Sequence, residues 1–517
     1  MAGDPPERVR LAELVSALSL GVDLGFGQPM EHVLRQCLIA LRLAERIGLG
    51  AADRATVYYT SLLVNVGCHS DAHEQAKWFG DDISFKAAKY ERPLRSVGAA
   101  VAGIASIGRG RPPLHRFRLG LEFAVSGHRD LDGMIEHHAE MARLLAEQLG
   151  MDVTVLDAVV CSYEQWDGRG WPGRLRGEAV PIAARIALLA EYVEVAHRVG
   201  GVERATSLAR ERRGKQFDPA MSDVLIEHSA EILGDLDSIS TWKAVIDSEP
   251  HLKVQLPNDR FDAALLAIAN FVDLKSPYSI GHAAATSQLA ADAGARLELA
   301  PDQLTNLRRA GLVHDLGRLG VSNSIWDKPG PLGAGEWERV RLHPYLSDRM
   351  LNQSRALAPV AEIAVQHHER LDGSGYPRGL AGPAISRPAR ILAAADAYQA
   401  MREPRPHRPA RSPEDAAEQL KEEVRRGRLD AHAVEAVLAS AGHRVKLRRE
   451  EPSGLTAREV EVLQFLARGM SNKQIATRLV ISPKTVSNHV EHIYGKIGAS
   501  TRARACFFAM QHGLVPE

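Results

Sequence analysis

The chain alternates between stretches whose apolar residues recur every three or four positions and short stretches rich in glycine, proline or charge. In 282–299, HAAATSQLAADAGARLEL, the spacing is that of an amphipathic helix. Ala- and Leu-rich segments with the same rhythm run through 304–320, 355–370 and 386–402. The alternation of β-branched residues that a half-buried strand needs is scarce. Gly/Pro clusters at 328–335 and 371–383, and EPRPHRPARSP at 403–413, read as loops, after which helical spacing resumes to about Ala441. The pattern predicts an all-α protein. With aromatics at only 5%, its cores would be packed from small side chains.

A charged segment, 443–453, reads as a linker, and the sequence beyond it reads as four short helices. Thr456 and Glu459 form a capping box ahead of a helix whose apolar face is Val460, Leu463 and Leu466, and Gly469 supplies its left-handed end. Ser471 opens a second helix that buries Ile475, Ala476 and Leu479. Ser482 caps a third, with Pro483 at its first position, where a missing N–H costs nothing. With a fourth short helix this is the grammar of a helix-turn-helix domain over 454–517.

Composition narrows the setting. A chain of 517 residues is too long for one core. The formal net charge of zero conceals a basic end, with eight Lys/Arg against four acids from Gly454 to Glu517. The four cysteines, Cys37, Cys68, Cys161 and Cys506, lie far apart and form no CxxC, which suits a reducing compartment. The first residues, MAGDPPERVRLAELV, are charged where a signal peptide needs an apolar run, and the uncharged apolar stretch Val97 to Gly108 is too short to span a bilayer. The expectation is a soluble cytoplasmic protein without a membrane partner.

The region ahead of the linker contains one pattern twice. His32 precedes Val64 by 32 residues, as His282 precedes His314, and His138 precedes Ser162 by 24, as His343 precedes His367. Ser162 precedes Glu191 by 29, as His367 precedes Asp396. YEQWDGRGWPGRLRGEAVPIAARIALLAE (163–191) echoes HERLDGSGYPRGLAGPAISRPARILAAAD (368–396). An insertion of roughly 45 residues, within Cys68 to Arg129, restores the register of the first copy. The first copy has lost its donors: His-Asp becomes Val64-Asn65, His-His becomes Ser162-Tyr163, and Asp becomes Glu191. Valine cannot bind a metal and Asn is a weak ligand, so this copy reads as metal-free, structural or ligand-sensing. A single-metal site of His32, His138 and Glu191 is the alternative.

The second copy keeps its His and Asp residues, whose nitrogen and carboxylate donors suit Fe, Mn or Zn. Adjacent His314 and Asp315 allow the histidine to hold one metal while the carboxylate bridges two, and His367 and His368 can reach the same cavity from one helix end. Two metals at bridging distance stabilise both the attacking and the leaving oxygen of an in-line displacement at phosphorus. Lys328 reads as a further phosphate contact or as a solvated loop lysine.

Residues 258–442 resemble the HD-GYP subgroup of HD-type metal phosphohydrolases, matching DLKSPYSIGH, HDLGR, KPGPL, HP, HHERLDGSGYP and RILAAAD in order. The resemblance implies a helical bundle with two divalent metals that hydrolyses cyclic di-GMP or a related cyclic dinucleotide. It implies His282, His314, Asp315, His343, His367, His368 and Asp396 as metal ligands, with His314, Asp315 and Arg318 in catalysis. Gly373, Gly375, Tyr376 and Pro377 would handle substrate at the pocket edge. Arg318 stands where the family has Lys: it keeps the charge and grips phosphate bidentately, but cannot donate a proton. Tyr278 stands where some members carry a Glu for a third metal, so two metals are expected.

The C-terminal segment resembles the LuxR/FixJ-type helix-turn-helix, whose recognition helix would begin at SPKTV. Ser487, Asn488 and Glu491 would then face bases, while Lys473, Lys484, Thr485 and Lys496 meet phosphates. Domains of this type bind DNA as dimers. The resulting organisation is a degenerate HD-like copy (1–235), a connector (236–257), an HD-GYP-like domain (258–442), a linker (443–453) and a LuxR-type domain (454–517). Three functions compete: a DNA-binding regulator with cyclic dinucleotide phosphodiesterase activity, a non-enzymatic regulator that senses nucleotide or metal, and an HD enzyme for another phosphate ester.

Overall fold

The computed structural model describes residues 9–90, 106–108, 113–123, 128–250, 255–445, 455–511 and 514. Among these residues the architecture is helical, and the only β pairing consists of isolated bridges. The chain forms two compact units, Met1–His443 and Arg444–Glu517.

In the larger unit the two copies share their helix register. His32–Arg46 corresponds to His282–Arg296, Ala51–Leu63 to Pro301–Val313, and the 3-10 turn Val66–His69 to Leu316–Gly320. After the insertion, Gly177–Ala179 corresponds to Gly382–Ala384, and Ile182 opens a long helix as Arg387 does. Local signals explain the starts: Pro301 occupies a first turn, where no N–H is needed, and the Ser386 hydroxyl accepts from Ala389 N.

The copies pack reciprocally through equivalent positions. A Cβ on Gly21 would lie 2.8 Å from Leu319 of the second copy, so that glycine lets helix Leu11–Gly25 press onto the 3-10 turn beside the site. Its counterpart Phe271 meets His69 of the first copy edge-on, with ring centroids 6.3 Å apart. A small residue facing a large one is thus exchanged for an aromatic pair.

The stretch expected to be a connector is part of the first copy's packing. It carries helix Thr241–Asp247, whose Val245 is fully buried and whose backbone carbonyl accepts from Tyr58 Oη at 3.2 Å. Glu249 just beyond it receives Tyr59 Oη at 2.5 Å and pairs with Arg10. The insertion is also ordered where described: helices Ala72–Phe79, Asp82–Ala87 and Pro113–Glu122 enclose a small core of Trp78, Phe79, Ile107 and Leu119.

The C-terminal unit has helices Ala457–Ala467, Asn472–Leu479, Pro483–Ile497 and Arg502–Gln511 around Val462, Leu463, Ile475, Val486 and Ile493. Its starts follow the sequence signals: capping boxes at Thr456 and Ser471, and a Ser482 hydroxyl accepting from Thr485 N. Gly469 and Gly498 take positive φ at helix ends. Val480 does the same at the turn before the third helix, a conformation that costs a β-branched residue about 1–2 kcal/mol.

Candidate metal centre

Five segments of the second copy bring the seven expected ligand residues into one buried cluster. His282 opens its helix after Gly281, which is left-handed, and the Asp273 carboxylate accepts the next amide, Ala283 N, at 3.0 Å. His314 and Asp315 follow Pro301–Val313 at the entry to the 3-10 turn. That turn closes because position 317 is glycine: a Cβ there would lie 2.0 Å from the His343 carbonyl oxygen. His343 opens helix His343–Leu351, His367 and His368 follow Ala358–Ala364, and Asp396 lies within Arg387–Arg402.

Asp315 divides its two oxygens between two groups. Oδ2 lies 3.5 Å from His314 Nε2 and 3.9 Å from His282 Nε2, and Asp396 Oδ1 closes that side at 3.2 Å from His282 Nε2. Oδ1 lies 3.3 Å from His343 Nε2 and 3.8 Å from His367 Nε2. His368 Nδ1 stands 3.9 Å from Asp396 Oδ2. Two sets of close donor atoms result, His282–His314–Asp315 and His343–His367–His368.

Hydrogen bonds fix which nitrogens face the cluster. The Nδ1 atoms of His314, His343 and His367 contact the carbonyl oxygens of Gly311, Val340 and Ala364 at 2.8, 2.6 and 2.7 Å. A carbonyl only accepts, so each Nδ1 carries a proton and each Nε2 turns inward. The Nε2 atoms of His343 and His367 consequently sit 3.2 Å apart, and His314 Nε2 is buried without a hydrogen-bond partner. Nε2 atoms converging beside two carboxylates form a donor set that fits divalent metals. Burial, then neighbouring His314 and His343, drive His367 down to about 3, which keeps the ring neutral. Burial opposes ionisation of Asp315, but His314 and Arg318 outweigh it and hold the carboxyl well below its usual range.

The expected substrate residues are placed unequally. Arg318 Nη1 donates to Asp315 Oδ2 at 2.9 Å, and its guanidinium lies 4.3 Å from the Trp326 ring centre. Tyr376 lies against His368, centroids 4.7 Å apart, and a cis peptide bond joins it to Pro377. Lys328 is engaged outside the cluster, donating to Glu336 at 2.7 Å. The two glycines serve the loop backbone: Gly373 has positive φ, and a Cβ on Gly375 would meet Arg370 N at 2.4 Å. Glu369 organises the same loop, accepting from Arg378 N and Leu380 N at 2.8 Å each.

Sequence reasoning missed Glu403 and Arg405, inside the segment read as a loop. Glu403 Oε2 lies 3.0 Å from His282 Nδ1, so this carboxylate orients the His282 ring as the backbone carbonyls orient the others. Arg405 donates to Glu403 at 3.0 Å and to the Tyr278 carbonyl at 3.1 Å, fixing the carboxylate in turn. No motif marks either residue.

In the first copy the insertion fills the corresponding space. Lys89 Nζ lies 2.6 Å from Glu191 Oε1 and donates to Asn65 Oδ1 at 3.0 Å. Tyr90 Oη donates to Glu191 Oε1 at 2.9 Å and lies 3.3 Å from His32 Nε2. Asn65 Nδ2 adds a third donor to that oxygen at 2.7 Å. His138 turns to Asp71, 2.6 Å away, and His32 Nδ1 to Glu194. The side chains of the single-metal alternative therefore point at protein groups, with an ammonium as the cation. Burial disfavours the charge on Lys89, but Glu191 and Tyr192 outweigh it and raise the lysine above its usual range.

On the third helix of the C-terminal unit Lys484, Asn488 and Glu491 are exposed along one stripe, with Thr485 beside them and Lys473 exposed on the preceding helix. Ser487 is half-buried and accepts from Asn472 Nδ2 at 3.2 Å. Lys496 donates to the capping Glu459 at 2.6 Å, so it ties helices together as placed. Val486 is core.

A helical bundle with a buried His/Asp cluster divided by one aspartate is the architecture of HD-type phosphohydrolases, which are metal-dependent. Residues 267–433 match the HD domain model, and 453–509 match that of bacterial regulatory proteins of the luxR family. The chain is 31% identical over 423 residues to 3'3'-cGAMP-specific phosphodiesterase 3 of Vibrio cholerae serotype O1, covering 80% of this chain and 90% of that protein. It is 34% identical over 191 residues to a cyclic di-GMP phosphodiesterase of Pseudomonas aeruginosa, covering 36% of this chain and 46% of that one. A crystal structure of the V. cholerae cyclic GMP-AMP phosphodiesterase V-cGAP3 is similar with a TM-score of 0.59 at 25% identity, over 85% of this chain and 99% of that one. The chain belongs to the HD-GYP family of HD-domain phosphodiesterases and carries a LuxR-type helix-turn-helix domain. No helix among the described residues is long and apolar enough to cross a membrane.

Proposed function

We propose that the second copy hydrolyses a phosphodiester of a 3'3'-linked cyclic dinucleotide, and that the C-terminal domain binds DNA as a homodimer and makes the chain a transcriptional regulator. The division of Asp315 between two histidine groups carries the first part, because a carboxylate offering one oxygen to each side is what a two-metal site needs. The substrate class follows relatives named for 3'3'-cGAMP and cyclic di-GMP.

His282, His314, Asp315 and Asp396 would hold one divalent ion, and Asp315, His343, His367 and His368 the other, with Fe or Mn ahead of Zn. When bound, the pair supplies Lewis-acid polarisation of the scissile phosphate. The chain's own groups do the remaining work. Backbone carbonyls and Glu403 keep the imidazoles in the tautomer that presents a lone pair. Arg318 carries a fixed charge at the cluster and can donate to phosphate, while Tyr376 offers a ring to a base.

The test is hydrolysis of 3'3'-cGAMP and cyclic di-GMP by the chain reconstituted anaerobically with Mn or Fe(II), beside His314→Ala/Asp315→Ala. Metal-dependent turnover that the double variant lacks supports the enzyme. Absence of turnover with two metals bound and the fold intact removes these substrates. One observation favours a second reading: Arg318 is already clamped between Asp315 and Trp326. A site that binds the dinucleotide without cleaving it would serve a sensor, and binding without turnover in the same experiment would show that.

A further inference from the structure

Asp82 belongs to the first copy's insertion, yet it is fully buried against the second copy. Its carboxylate accepts from Ser322 Oγ at 2.7 Å and Asn323 N at 2.8 Å, and faces Lys275 Nζ at 3.4 Å and Lys86 Nζ at 3.1 Å. Asn323 then donates to the Lys275 carbonyl at 2.6 Å and to Asp327 at 2.7 Å. Asp327 also receives Ser276 Oγ at 2.6 Å and meets His73, another insertion residue, at 2.8 Å. Between Asn323 and Asp327 stands Trp326, which supports the Arg318 guanidinium and meets the His343 ring edge-on, centroids 5.4 Å apart. At the other end of the same short segment Lys89 and Tyr90 are fixed on Glu191.

We propose that segment 72–90 of the first copy is a strut that positions the Arg318–Trp326 wall of the second copy's pocket, with Asp82 as its positioning residue. One carboxylate faces two buried ammonium groups, so removing its charge leaves Lys275 and Lys86 uncompensated and frees the turn that carries Trp326. The strut can transmit position because its far end is held: Lys89 is one turn beyond Lys86, and the cation that replaces a metal in the first copy also fixes the segment there. The degenerate copy is in this sense a foundation for the working pocket. The inference rests on the phosphodiesterase reading for its kinetic arm only.

The test uses the full chain with Asp82→Asn, Asp82→Asn/Lys275→Met and His73→Ala. Amide hydrogen exchange over 322–328 is read beside kcat, KM, metal content and melting temperature. Asp82→Asn should raise exchange in 322–328 at least about tenfold while peptides holding His367 and His368 stay protected. KM should rise about tenfold at nearly constant kcat and metal content, because a misplaced Arg318 weakens binding of ground and transition state alike. The double variant should recover much of both effects, because it also removes a stranded charge. His73→Ala, at a partly exposed position, should give the same signature at about two- to threefold and serves if Asp82→Asn does not fold. Unchanged exchange in 322–328, or a lower melting temperature with kcat and KM intact, would overturn the strut. If no dinucleotide is cleaved by the unaltered chain, the substrate reading fails and exchange alone decides the strut.

Discussion

Set side by side, the two copies share one scaffold and differ in the source of positive charge at its centre. In the second copy, three imidazoles locked by backbone carbonyls aim lone pairs at a space bordered by Asp315 and Asp396. In the first, the positions of those imidazoles carry Val64, His138 and Ser162, Asn65 stands for Asp315, and the remaining carboxylate, Glu191, receives Lys89. The parts that survive in both are structural. Gly67 and Gly317 each let a histidine carbonyl approach the 3-10 turn, Gly170 and Gly375 each lie on the backbone of the preceding residues, and Glu164 and Glu369 each gather the amides of the loop that follows. A chain that keeps one copy without its chemistry separates the residues that make this fold from those that make its site.

The sharpest way to break the comparison is to remove the central residue of each cluster. Asp315→Ala should lower turnover by at least about 10²–10³-fold with loss of bound metal. Asn65→Ala should leave turnover per folded chain and metal content unchanged. Phosphodiesterase assays with elemental analysis decide it, and metal lost from Asn65→Ala would end the contrast.

Next in size is Lys89→Met, which strands the buried Glu191 carboxylate. The expected cost is about 3–5 kcal/mol of stability, measured by denaturant unfolding. An unaltered midpoint would mean that Glu191 is not ionised and that the first copy holds no cation at all.

A pH series separates the copies more finely. Burial opposes protonation of His138, but Cys68 and Asp71 outweigh it and raise the imidazole to about 9. A histidine raised above its unfolded value near 6.5 contributes stability that is complete below that pH and is lost as pH climbs through about 9. The melting difference between the native chain and His138→Gln should therefore shrink from pH 6.5 to 9.5. A constant difference over that range would show that His138 acts through packing.

The smallest expected effect concerns the residues behind the first histidine of each copy. Glu403→Gln should weaken metal affinity about 10–100-fold, as loss of a carboxylate behind a ligating imidazole generally does. Glu194→Gln, behind His32, should leave metal affinity untouched. Titration with Mn in a chelator-buffered medium measures both.

Much of this was legible in the sequence. The repeat, the ligand spacing and the helix caps of the C-terminal unit depend on residues near one another in the chain or at fixed separations, and such patterns can be read without coordinates. What escaped depends on where distant segments meet. Lys89 and Asp82 are charged residues on short insertion helices, where the ordinary expectation is a solvated face. Glu403 sits among prolines and arginines that read as a loop. Thr241–Asp247 reads as a connector because its apolar residues are few, yet Val245 closes a space beside Tyr58. Lys496 has the look of a phosphate contact until Glu459, thirty-seven positions earlier, is found beside it.

A cation held by a covalent tether does not exchange with its surroundings. The ammonium of Lys89 keeps its place whatever the supply of metal, while ions at the second copy's cluster would be drawn from a shared and fluctuating pool. Starvation for metal should therefore silence one half of the tandem while the other half stays standing. A cell short of metal would hold a chain whose second copy is emptied while its first copy stays folded.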